Sequence, residues 1–179
     1  MIMCKQSIMI KHLILLLTAY VLFSACAKKE LTKEDAFTLL EKSGKYPQVL
    51  SYEIYTKDSE DGKKMLTAGL EKEGLVTVER NRKTGDNHAP IIQFTEKATQ
   101  YLLEPDKGQL SSVQRVKIAE EVLDEIISFD LKDQSTINIT YTTKFINVNP
   151  FAKLDRRDFG EKKNYKTTII LTKEGWSLL

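Results

Sequence analysis

From Thr136 to Val148 the chain reads TINITYTTKFINV, and Ile137, Ile139, Tyr141 and Thr143 fall on one side of an extended backbone. Period-two alternation of β-branched and aromatic residues predicts a half-buried strand, which Asn149-Pro150 ends. A strand pair is expected in YKTTIILTKEGWSLL, residues 165–179, with Lys173-Glu174-Gly175 as the hairpin loop and Trp176 opening the last strand. The apolar end Leu178-Leu179 suits a terminus docked in a sheet. Upstream, residues 113–129 (VQRVKIAEEVLDEIISF) carry two readings. Val116, Ala119, Leu123 and Ile126 fit a helix face, while Val116, Ile118, Val122 and Ile126 fit alternate strand positions. Their β-branched content tilts the reading toward a long, bent strand. Between the strands, residues 152–164 (AKLDRRDFGEKKN) form a charged loop, mobile or partner-facing, in which Arg156 and Arg157 are candidate contact residues.

The chain before residue 105 has a different pattern. Thr32 as N-cap, Asp35 three residues on, and Ala36, Leu39 and Leu40 on one face predict a helix ending near Ser43-Gly44. An extended segment follows, KYPQVLSYEIYTK, with Tyr46, Tyr52 and Tyr55 as a candidate binding surface; core packing is the competing role for these rings. Asp58 and Ser59 are cap-type residues, and Met65, Leu66 and Leu70 at helical spacing predict a second helix stopping at Gly74. Next come a strand in LVTVER, a turn-rich loop in NRKTGDNHAP, a strand in IIQF, and a short helix in TEKATQYLL with Thr95 as its cap. The connector EPDKGQLSS, residues 104–112, is the expected boundary, so the fold class is α+β: a small α/β module at 31–104 and a β-rich antiparallel-sheet module at 111–179.

The order helix, extended segment, helix, strand, loop, strand over residues 31–104, with LEKEGLV before the hairpin and FTEKATQYL after it, resembles a winged-helix module. That resemblance implies a wing carrying Arg80, Arg82 and Lys83 toward phosphates. Opposing it, the would-be recognition helix carries Glu60, Asp61, Glu71 and Glu73 beside Lys63, Lys64 and Lys72, and acids facing a phosphate backbone weaken binding. No nucleic-acid partner is expected.

The first 26 residues bear on that expectation. Lys5 and Lys11 precede LILLLTAYVLF, Leu13 to Phe23, an apolar run too short to span a bilayer, since a membrane-crossing helix needs about 18 or more such residues. Ser24 and Ala25 are small, and Cys26 follows. The stretch LFSAC resembles the lipobox of bacterial lipoproteins, with Phe23 standing where leucine is usual. The resemblance implies a signal peptide at 1–25, diacylation of Cys26, and a tether at 26–30. Ala27 in place of aspartate implies the outer membrane. The sequence's only other cysteine, Cys4, lies in the signal, so no intramolecular disulfide is expected in the mature chain. Two or more acyl chains hold a protein stably where one does not.

Charge and chemistry narrow the function classes. The 179 residues are 41% hydrophobic and 29% charged, enough for a packed core, and the formal charge of +2 comes from the lysines of the signal. The mature chain is balanced, with no basic excess to draw a polyanion. His88, the one histidine after the signal, sits alone in a loop, and DSEDG lacks the alternating spacing of an EF-hand. No glycine-rich phosphate loop, HExxH or GxSxG occurs. No metal, cofactor or catalytic residue is therefore expected. The leading expectation is a non-catalytic envelope protein that binds another envelope component through residues 46–55 or 152–164; a small enzyme working through carboxylates is the alternative, and a winged-helix regulator comes last.

Overall fold

The segment with two readings is extended. The computed structural model describes residues 30–80, 89–108 and 110–179; Cys26, Arg82, Lys83 and His88 lie outside them. In chain order the elements from residue 33 are α1 (Lys33–Lys42), β1 (Gln48–Tyr55), α2 (Ser59–Thr67), β2 (Val76–Val78), β3 (Ile92–Phe94), a 3-10 turn (Glu96–Tyr101), β4 (Val113–Asp133), β5 (Thr136–Ile146), a second 3-10 turn (Pro150–Leu154), β6 (Lys163–Thr172) and β7 (Gly175–Leu178).

The 21-residue β4 is antiparallel to β1 along its first half and to β5 along its second. It stays extended because both halves find partners far along the chain, a tertiary choice that periodicity alone does not resolve. Its register against β5 shifts at Leu123/Glu125, Ile126/Ser128 and Leu131/Asp133, and its register against β1 shifts at Leu50/Ser51. Bulges of this kind bend a strand and raise its twist, which curls the sheet. The bulge opposite Leu50/Ser51 skips Ile118 and leaves both Ile118 and Ala119 buried.

The sheet has five strands in the order β1-β4-β5-β6-β7, and β2 pairs with β3 as a separate hairpin. The alternation read from β5 is realised, since Ile137, Ile139, Tyr141 and Thr143 are all buried. Residues 33–179 form one unit. Its largest apolar cluster joins Leu50 and Ile54 of β1, Met65 of α2, Val76, Val78 and Ile92 of the hairpin, Val116 and Ile118 of β4, and Phe151. Phe151 meets the rings of Phe94 and Tyr101 at 6.2 and 5.8 Å between centroids, and full burial of such a side chain stabilises by about 1.5–3 kcal/mol.

Two expectations are corrected here. The winged-helix order of elements is present, but its packing does not appear: β1 pairs with β4 instead of the hairpin, so the ladder and the core run across the boundary expected at 104–112. That connector is itself tied down, by Leu103 N–H to the Arg115 carbonyl at 3.0 Å and by the Arg115–Asp106 ion pair. The second helix ends at Thr67, earlier than Gly74, because Gly69 takes a left-handed φ of 76° and Leu70 N–H turns back to the Met65 carbonyl. Gly62 lets this short helix sit close on the hairpin. A β-carbon there would stand 3.3 Å from Val78 Cγ1 and 3.4 Å from Ile91 Cγ2.

Among the described residues no helix is long and apolar enough to cross a membrane.

Candidate functional site

The five residues expected to form a contact surface are dispersed. Tyr46 is buried, with its ring edge-on to Tyr141 at 6.3 Å and its hydroxyl 3.4 Å from the Tyr141 hydroxyl. Strand alternation separates the other two tyrosines. Tyr52 shares the inner face of β1 with Leu50 and Ile54, while Tyr55 is 48% exposed on the other face. Arg157 grips Asp155 through Nε and Nη2, its Nη2 lying 2.7 Å from Oδ2, and Arg156 is exposed. The charged loop is pinned by Phe159 against Phe145 at 5.2 Å and by Lys162, whose ammonium stands 2.6 Å from Asp124 Oδ2.

Two arrangements of residues could carry function. The first surrounds Glu121, which sequence reasoning did not single out. Register places Glu121 beside the start of β1, across from Gln48. It is buried on the face that continues from Ala119, and its Oε1 accepts from the Thr143 hydroxyl at 2.6 Å and the Tyr165 hydroxyl at 2.8 Å. Oε2 lies 3.7 Å from Lys163 Nζ. Tyr165 stacks on Tyr141 at 5.6 Å, and the Lys45 ammonium stands 5.7 Å from the Tyr46 ring and 5.5 Å from the Tyr165 ring.

The electrostatics fix what this cluster does. Burial, and then the hydrogen bond with Tyr141, push the Tyr46 phenol above its ordinary pKa; burial and then Glu121 do the same for Tyr165. Both phenols stay protonated at neutral pH, and Tyr165 donates to Glu121. Glu121 Oε1 is thus occupied by two hydroxyl donors, and Oε2 faces an ammonium. The cluster anchors the Lys45-Tyr46 connector, hence the start of β1, to the middle of the sheet. On the neighbouring β4 bulge, Lys162 and Lys144 hold the Asp124 carboxyl down to about 2. The sequence signal that could have found this cluster was an acid, Glu121, in a run of strand-forming residues that otherwise turn apolar side chains inward.

The second arrangement is the outer edge of β1. Thr56 N–H bonds to the Ser112 carbonyl at 2.8 Å, in line with the β1–β4 ladder. Tyr55 N–H points the opposite way, into Asp61 Oδ2 at 2.8 Å, and Asp61 Oδ1 takes Lys64 Nζ at 2.7 Å. Alternation then turns the backbone of Val49, Ser51 and Glu53 away from β4. Because β1 ends the sheet, their N–H and C=O groups meet no partner among the described residues. Val49 is 48% exposed beside them.

The chain matches no known protein family, curated protein or solved structure.

Among the described residues no group of three or more histidine, cysteine, aspartate or glutamate side chains is placed to hold a metal ion. Chemically, the Glu121 cluster offers satisfied hydrogen bonds, and the β1 edge offers unsatisfied ones. Of the two, the edge is the one equipped to take a ligand.

Proposed function

We propose that this chain is a lipid-anchored protein of the bacterial cell envelope, fixed to a membrane through acylated Cys26, whose folded part binds another envelope protein and performs no catalysis. The carrying observation is the order of the first 26 residues: Lys5 and Lys11, the apolar run Leu13–Phe23, then Ser24, Ala25 and Cys26. Ala27 in second position favours the outer membrane. The non-catalytic part of the reading draws on Glu121, Asp124, Tyr46 and Tyr165. Each has its polar side-chain atoms hydrogen-bonded or ion-paired within the fold. Residues 46–55 are the preferred contact segment over the loop at 152–164, whose Arg157 and Lys162 are engaged with Asp155 and Asp124.

Detergent phase partitioning and the N-terminal mass of the wild type and of Cys26→Ala test the anchor. The wild type is expected in the detergent phase, beginning at Cys26 and carrying acyl mass, with the variant in the aqueous phase. Uncleaved, unmodified chains in both samples would contradict the proposal.

A further inference from the structure

Resting on the reading of the chain as a binding protein, we infer that the outer edge of β1 takes an extended segment of a different protein as an added strand, through the backbone groups of Val49, Ser51 and Glu53. Another extended backbone supplies donors and acceptors at the spacing of such a row, and strand addition to an exposed edge is a recurrent mode of recognition.

Natural sheets protect their edges with lysines, prolines, bulges or covering elements. The other end of this sheet follows that rule. Where β6 runs past the end of β7, it carries Lys163 and Lys166, with Lys162 just before it. The β1 edge is guarded only at its ends, by Pro47 before the strand and by Asp61 plugging the Tyr55 N–H. Between them stand Val49, Ser51 and Glu53, with no lysine and no covering element among the described residues.

Self-pairing fits this edge poorly. An antiparallel pair of β1 strands centred on Ser51 sets each Val49 against the other copy's Glu53, an apolar side chain against a carboxylate. Shifting the centre to Tyr52 matches Val49 with Tyr55, but that register needs the Tyr55 N–H, which Asp61 already holds. Cross-strand pairs stabilise when charges are opposite or both residues are β-branched or aromatic. The fitting occupant is therefore a segment that runs antiparallel to β1 and reads basic, any residue, small polar, any residue, β-branched. It sets its basic residue against Glu53, its small polar residue against Ser51, and its β-branched residue against Val49.

The full-length, detergent-solubilised protein is titrated with a seven-residue peptide containing Lys-Thr-Thr-Thr-Val, while exchange of each backbone amide is followed by NMR. Expected are at least tenfold slower exchange at Val49, Ser51 and Glu53, loss of that protection when the peptide's central threonine is N-methylated, and binding about two- to fivefold weaker when its lysine becomes glutamate. Glu53→Lys should reverse the lysine–glutamate preference. Three results overturn the inference: no protection by any peptide, protection that follows protein concentration without peptide and so marks a second copy, or shifts confined to residues 155–162. The acyl mass on Cys26, read from the same sample, separates failure of the edge from failure of the anchored-protein reading.

Discussion

β1 and β4 lie side by side in one sheet, and they leave their polar groups in opposite conditions. Along β4, Glu121 is met by two hydroxyls and Lys163, Asp124 by two lysines, and the backbone by β1 over Val113–Glu121 and by β5 over Glu120–Asp133. On β1 the inward row of backbone groups is paired, whereas those of Val49, Ser51 and Glu53 meet no partner among the described residues. A buried polar group left unmet costs about 1–3 kcal/mol, whereas one at the surface is met by water and costs little. The central strand therefore carries stability and the edge strand is free to carry recognition.

Substitutions on β4 should show the larger effects. Ile118→Ala empties a fully buried position in the apolar cluster, and a loss of about 2–5 kcal/mol is expected in urea unfolding. Glu121→Leu comes next. It strips the acceptor from the buried Thr143 hydroxyl and from Tyr165, for an expected loss of about 1–3 kcal/mol; Glu121→Gln, which keeps an acceptor oxygen, should lose less. If Leu were as stable as Glu at this position, the polar cluster would not be anchoring the sheet.

Acid sharpens the contrast further. The Asp124 carboxyl titrates near 3.8 unperturbed and at about 2 in the fold. A depressed folded value means that the ion cluster's contribution is complete above about pH 4 and is lost as the pH falls toward 2. With Lys144 and Lys162 half exposed, that contribution is about 1–2 kcal/mol. Unfolding at pH 2 to 6 should show a steeper decline for the wild type than for Asp124→Asn, and parallel curves would contradict the assignment.

The smallest effect on stability belongs to the edge. Ser51→Pro removes an N–H that meets no partner among the described residues and the Oγ that accepts from the partly exposed Arg115, so a loss of at most about 1 kcal/mol is expected, together with loss of peptide binding. Moving the proline one residue, to Tyr52, deletes a ladder donor to β4 and should destabilise the fold by far more. Equal losses from the two prolines would mean that the outer row is also bonded.

Strand β5 was legible because Ile137, Ile139, Tyr141 and Thr143 alternate in the sequence and all four are buried. The caps and glycines were partly legible: Asp58 does cap α2, accepting from Glu60 N–H at 2.7 Å, but Gly69 ended the helix before Gly74 could. The pairing of β1 with β4 was not legible. It joins residues about 60 positions apart, and local pattern favoured pairing β1 with the nearer hairpin. The Glu121 cluster was hidden for the same reason, since Tyr46, Glu121, Tyr141 and Tyr165 come from four segments that only the sheet register brings together. The β1 edge was half visible: residues 46–55 drew attention for their tyrosines, yet the groups that stand open are the backbones of Val49, Ser51 and Glu53 between them.

Residue-by-residue amide exchange along β1, without any added ligand, tests this account most directly. An alternating profile is predicted, with Leu50, Tyr52 and Ile54 protected by the ladder and Val49, Ser51 and Glu53 exchanging close to the rate of an unstructured chain. Uniform protection from residue 49 to residue 54 would contradict it, because the outer row would then already be covered.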